Sequence, residues 1–243
     1  LRCHRCIVSG KRVMGDKSRR TFKKRQIEVE VFYSQQMAMP QTDALTSRST
    51  RTRAALVEAT LTRLRADGSF TAEQVATDAG VSVATIYNRF PDGRDGLLAA
   101  AFDRALDQVV AASTDPLTAE NLLDHGLAGT MRALVDGLAE AFADEALVMR
   151  AALARLPESR VLREAYRGHE ATARAANRRF IELGQAAGLI GEGDADELAD
   201  LLVVFGQGIN NPVLLGASDH GRLRGRLAAA MVAALSPEPH GSS

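Results

Sequence analysis

The chain has 243 residues, with 30 Lys and Arg against 30 Asp and Glu, 46% hydrophobic residues, 5% aromatic residues and no Trp. Its length suits one helical core or a small module plus a larger domain. Zero formal charge excludes a global positive field toward nucleic acid, and no apolar run approaches the ~20 residues of a membrane span. Alanine and leucine abound while alternating β-branched runs are scarce, so the expected fold class is all-α.

Residues 1–36 hold ten Lys and Arg against three Asp and Glu, which leaves 20 against 27 for residues 37–243. Both cysteines lie there, in Cys3-His-Arg-Cys6. Only Ile27-Glu-Val-Glu-Val-Phe shows a period, alternating like a short strand. Three readings stand. The segment is a leader outside the functional fold, disordered or loosely packed, which the composition favours. It is a basic DNA-binding extension. Or it is half a zinc knuckle, weak with two Cys, one His and no second pair. No apolar stretch follows the basic residues as in a secretory signal. A cytoplasmic protein is expected, with no metal, no cofactor and no disulfide in the later fold. Residues 37–48, polar and rich in Gln, Thr, Ser and Arg, read as a flexible arm.

A DNA-binding domain with its connecting helix is expected over 49–112. Helix 1, about Arg51 to Ala66, carries Val57, Leu61 and Leu64 on one face and ends at Asp67-Gly68. Thr71 can cap a second helix, with Gln74 three residues on as in a capping box. Val75, Ala76 and Ala79 form its inner face. Gly80 suits a left-handed C-terminal residue, Val81 plugs the corner, and Ser82 can cap a third helix. Ile86 and Phe90, spaced i, i+4, point inward. Val83, Ala84, Thr85, Tyr87, Asn88 and Arg89 then face out. This is a helix-turn-helix whose second helix can lie in a DNA major groove. Pro91 stops that helix, Asp92 can cap the next, and Leu97 to Val109 continue an apolar face to about Ala112. With no global field, DNA binding must come from local placement of Arg48, Arg51, Arg53, Arg89 and Arg94.

The run Ala79-Gly-Val-Ser-Val-Ala-Thr-Ile-Tyr-Asn-Arg-Phe-Pro and the following Leu97-Leu98 resemble the TetR family of bacterial transcriptional regulators. The resemblance covers about residues 48–110. The short link between helices 1 and 2 departs from the family pattern, and Gly93 looks like an extra residue before Arg94. The resemblance implies that Thr85 and Tyr87 meet phosphate or base edges. It implies phosphate contacts for Thr71 and Arg94, and base readout at Val83 and Ala84. Ser82, Arg51, Asn88 and Arg89 complete the candidate DNA-contacting set. Apolar Val83 and Ala84 can touch thymine methyls but cannot make bidentate pairs with bases.

A second domain, for effector binding and dimerisation, is expected over 113–236, with a disordered tail at 237–243. Helical segments fall at about 118–143, 145–156, 158–187, 194–215 and 222–235. By resemblance, the last two pair with their symmetry mates, although the same faces suit an intramolecular core. Two recognition helices in a homodimer would read a palindromic duplex operator. The candidate effector pocket takes apolar Met131, Leu134, Phe142, Met149 and Phe180, with polar His125, Arg150, Tyr166, His169 and Asn177. Asn210 and Asn211, before Pro212, join it, since Pro212 kinks a long helix. The apolar members equally suit an ordinary core.

No nucleotide-binding glycine loop, nucleophile elbow or His-Glu-x-x-His signature occurs, so a non-enzyme is expected. The leading expectation is a ligand-responsive transcriptional repressor released from DNA by an unknown small molecule. The alternatives are a DNA-binding regulator without an effector and an all-α interaction protein that has lost DNA binding.

Overall fold

The computed structural model describes residues 39–215 and 220–237. The leader, its strand-like stretch, its cysteines and most of the tail lie outside the described residues. Among those described, every regular element is helical. In chain order they are α1 (Met39–Asp67), α2 (Ala72–Asp78), α3 (Val83–Arg89), α4 (Gly93–Thr114), α5 (Ala119–Asp144), α6 (Ala146–Arg155), α7 (Arg160–Ala186), α8 (Ala195–Ile209), α9 (Pro212–Leu215) and α10 (His220–Leu235). None is long and apolar enough to cross a membrane.

Helix α1 begins at Met39 rather than near Arg51, running through the segment expected as an arm. Helix propagation adds one bond per residue once a turn exists. Pro40 sits in the first turn, where a missing N–H breaks no ladder. The chain divides into two units, residues 1–52 and 53–243, so α1 spans the division.

Within the second unit, α1 from Arg53 onward, α2 and α3 form a small head. Leu56, Leu64, Val75 and Ile86 are completely buried there. Each such side chain contributes roughly 1.5–3 kcal/mol by leaving water. The corner between α2 and α3 closes at Gly80, whose φ of +65° is left-handed backbone that a Cβ disfavours. The Val81 N–H then returns to the Ala76 carbonyl at 2.9 Å.

Helix α4 carries the chain onward. Leu97, Ala101, Phe102 and Ala105 are fully buried along it, because α5, α6 and α7 pack around it. Helix α7 also packs on α8, and α10 lies along α5. Thr118 caps α5 by accepting from the Asn121 N–H at 3.1 Å. Asp194 caps α8 by accepting from the Asp196 N–H at 2.8 Å.

Three local expectations change. Asp92 precedes α4 but makes no side-chain cap, since its backbone (φ −77°, ψ 8°) is not the extended form seen at Thr71 and Ser82. Helix α5 is interrupted at Gly126 (φ 67°, ψ 175°), where an unbroken segment was expected. The long helix over 194–215 divides into α8 and α9. Asn210 leaves helical geometry at ψ 53°, and the Asn211 side chain accepts from the Val213 N–H at 2.9 Å. The break is thus a side-chain-capped restart at Pro212, not a kink within one helix.

Candidate nucleic-acid interface and cavity

Helix α3 is short, and its outer face is held by its own caps. Ser82 Oγ accepts from the Thr85 N–H at 3.3 Å and lies 3.0 Å from Thr85 Oγ1. Both hydroxyls keep capacity for a further partner. Ala84, Tyr87, Asn88 and Arg89 are exposed, and Val83 and Thr85 partly so. Tyr87 is 56% exposed. A Cβ added at Gly93, whose φ is +56°, would lie only 3.1 Å from the Tyr87 ring, so the glycine leaves that ring room.

At α2, the expected capping box is complete. Thr71 Oγ1 accepts from the Gln74 N–H at 3.2 Å, and Gln74 Oε1 accepts from the Thr71 N–H at 2.9 Å. Arg94 comes to the same spot. Its guanidinium lies 5.0 Å from the Phe70 ring centroid, within cation–π range, and its Nε reaches the Phe70 carbonyl at 3.4 Å. Arg53 stacks over Phe90 at 4.2 Å and donates to the Arg89 carbonyl at 3.0 Å. It therefore braces the C-terminus of α3. Arg51 is exposed in the first unit.

One contact holding this surface had no sequence signal. Arg63 on α1 grips Asp78 on α2 through two bonds of 2.6 and 2.8 Å. The Arg63 hydrogen bond and charge hold the Asp78 carboxyl below its ordinary range. The two residues lie fifteen apart in sequence, beyond any local helical spacing.

Behind the head, α4, α5, α6, α7 and α8 line a cavity of about 320 Å³ that opens to solvent, at the lower end of small-molecule sites, roughly 300–1,000 Å³. Leu106, Leu134, Leu138, Phe142, Met149 and Leu202 make apolar walls. Tyr166, His169, Glu170, Asn177, Gln207 and Asn210 supply most of its polar groups. Gln207 Nε2 donates to the Tyr166 hydroxyl at 3.0 Å and to Glu170 Oε1 at 2.9 Å. Burial, then the Glu170 charge, push the Tyr166 phenol up, with the Gln207 bond working the other way.

His169 Nδ1 lies 2.9 Å from the Ala165 carbonyl and Nε2 lies 3.1 Å from Asp107 Oδ1. Asp103 stands 3.7 Å from Nδ1. A carbonyl and a carboxylate only accept, so both ring nitrogens are satisfied when both carry protons. Burial opposes that charge, yet the Ala165 carbonyl and the two aspartates outweigh it and raise the imidazole above its ordinary 6.5.

Of the expected pocket residues, the cavity gathers Leu134, Phe142, Met149, Tyr166, His169, Asn177 and Asn210. The other five do not line it. Met131 and Phe180 are on the same helices but turned into solid core, 0% and 1% exposed. His125, Arg150 and Asn211 are exposed to solvent, as hydration favours for polar side chains with no buried partner. Glu170 and Gln207 were not anticipated. Tyr166, Glu170, Ala173 and Asn177 all line the cavity from α7, and their i, i+4, i+7, i+11 spacing marks one helical face. Among the described residues, no group of three His, Cys, Asp or Glu side chains could hold a metal ion.

Helix α6 touches both regions. Its Met149 and Leu153 line the cavity. At its start, the buried Glu145 pairs with Arg65 of α1, one bond at 3.2 Å. At its end, Arg155 pairs with Asp95 of α4 at 3.2 Å, next to Arg94.

A capped helix-turn-helix head joined by a long helix to a helical body with a cavity among its helices defines a class of architecture. The chain has the fold of the TetR-family transcription regulators. It is similar to a TetR transcription regulator from Haloarcula marismortui, with 21% identity and TM-score 0.61 over 76% of this chain and 98% of that one. A TetR-family transcription regulator from Marinobacter aquaeolei matches with 19% identity and TM-score 0.54, covering 79% of this chain and 99% of that one. The flavonoid-responsive regulator FrrA matches with 18% identity and TM-score 0.56, covering 78% and 100%. No protein-family model matches the sequence, and no curated protein resembles it significantly.

Proposed function

We propose that this chain is a TetR-family transcriptional repressor that binds a palindromic operator as a homodimer and is released by a small, mainly apolar molecule. The observation that carries the reading is the joining of two sites by one short helix. The exposed face of α3 has the shape and polarity of a groove-reading surface. Helix α6 forms part of the cavity wall and is tied by ion pairs to α1 of the head and to the start of α4 next to it. An occupant that displaces α6 thereby changes the seating of the head, which is the differential interaction that coupling requires.

Thr71, Arg94, Ser82 and Arg51 are assigned to phosphate, and Val83, Ala84, Asn88 and Arg89 to base edges, with Thr85 and Tyr87 meeting either. Dimerisation through α8 and α10 is supported by the exposed apolar side chains Val204 on α8 and Leu223 on α10, which are 63% and 37% exposed in the single chain. The neighbour named flavonoid-responsive is consistent with a small-molecule signal.

Operator selection from random duplexes, followed by binding across salt concentrations, tests the reading. The wild type should select a palindrome. Arg94→Ala should weaken binding and reduce the salt slope by about one. Failure to select any sequence, or a monomer at micromolar concentration, overturns it.

A further inference from the structure

We propose that the cavity takes an amphiphile with an apolar body and a protonated amine head, the head seated at the Glu170 carboxylate. This rests on the reading of the cavity as the effector site.

The charges around the cavity are lopsided. No Arg or Lys lines it, and the last lysine of the chain is Lys24. The other ionisable group able to carry positive charge there is His169. Its two ring nitrogens already meet the Ala165 carbonyl and Asp107. An anionic head would find no cation with a donor left to give it.

Glu170 is in the opposite position. Its one hydrogen bond comes from Gln207 Nε2, onto Oε1 at 2.9 Å. No cation pairs with it among the described residues. Arg174, one turn along α7, is committed to Asp200 at 2.9 Å. Glu170 is half-buried beside apolar walls, and its bond to Gln207 stays open to solvent, so a charged head entering the cavity can reach it.

The neighbouring polar groups repeat the pattern. Facing a carboxylate and a phenol oxygen, the Gln207 amide spends both N–H groups on Glu170 and Tyr166. That leaves its carbonyl as an acceptor. Asn177 directs its amide nitrogen toward the Ala199 carbonyl, at 3.5 Å, and its oxygen is likewise left as an acceptor. The Glu170 carboxylate with the Gln207 amide oxygen beside it, and the Asn177 oxygen two turns further along α7, call for a ligand that donates hydrogen bonds and carries positive charge. Leu134, Phe142 and Met149 supply the apolar contact for the rest of the molecule.

Three probes with the same chain separate the possibilities: decylammonium, decanol and decanoate, titrated calorimetrically into the full-length protein without DNA. Decylammonium should bind one per chain, at least tenfold more tightly than decanol, with decanoate weakest. Glu170→Gln keeps the Gln207 bond possible and should remove the amine's margin while leaving decanol unchanged, with circular dichroism checking the fold. The wild-type ranking alone decides the matter if that variant misfolds. Decanol or decanoate binding as tightly as the amine, a stoichiometry far above one, or a margin that survives in Glu170→Gln overturns the proposal. If decanol or decanoate binds best and Ala173→Phe, which fills the cavity, abolishes that binding, the effector site stands and only the amine assignment falls. If none of the three binds, both readings fall together.

Discussion

The head and the cavity use polar side chains in opposite directions. In the head, hydroxyls, amides and guanidinium groups are fixed by short-range caps and stacks, then left facing solvent. Thr71, Ser82 and Arg94 are each tied to a neighbour and still exposed. In the cavity, the polar groups come from helices far apart in sequence and bond to one another at its edge, beside the leucines. Tyr166 and Gln207, bonded to each other, are 41 residues apart. If the head meets a rigid duplex as proposed, local preorganisation favours it. If the cavity answers its occupant as proposed, its being lined by five separate helices gives the occupant several elements to act on.

The sharpest way to break this contrast is at the helix both regions share. Phe102 is fully buried on α4 and its ring stacks parallel to Tyr166 at 6.4 Å. Phe102→Ala should destabilise the chain by about 3–5 kcal/mol. Denaturant unfolding followed separately at the head and the body should show both moving together. Two separated transitions would mean that the regions are mechanically independent.

A smaller effect isolates the head. Thr71→Ala removes one side of the capping box and should cost about 1 kcal/mol of stability, together with a loss of operator affinity. Hydrogen exchange would locate the loosening in α2. An unchanged affinity would leave Thr71 a cap and nothing more.

The smallest expected effect belongs to the cavity wall. The folded chain raises the His169 imidazole above its ordinary 6.5. Its stabilisation is therefore fully present below about pH 6.5 and is lost as pH rises through the raised value. Melting temperature measured against pH should show wild type ahead of His169→Gln at low pH, with the gap closing as pH increases. A gap that widens with pH would reverse the assignment of partners.

How far the chain could be read from sequence follows from the same contrast. Thr71 with Gln74, Gly80, Ser82, and Ile86 with Phe90 act within one helical turn or one tight corner, so spacing alone exposes them. The cavity offers no such signal. Met131 and Leu134 are three residues apart on α5 and chemically alike, yet Met131 plugs solid core and Leu134 faces the open volume. The difference is helix rotation and the position of α4 and α7, which no local pattern encodes. Glu170 carries no sequence signal, because a charged residue on a helix usually marks its solvent face. The Gly126 break escaped for a related reason, since glycine inside a helical pattern is commonly tolerated.

The short α6, tied by ion pairs at its two ends, has a pharmacological consequence if the cavity governs the head as proposed. Ten residues make a rod of only about 15 Å, and its wall contacts, Met149 and Leu153, lie between the two ties. A molecule small enough to settle into the existing 320 Å³ would leave α6 where it stands and act as a competitive antagonist, occupying the chain while DNA stays bound. A bulkier one with the same head group gains room by levering α6 outward, and would be an inducer. Potency and efficacy would then follow different properties of the ligand, its head chemistry and its girth.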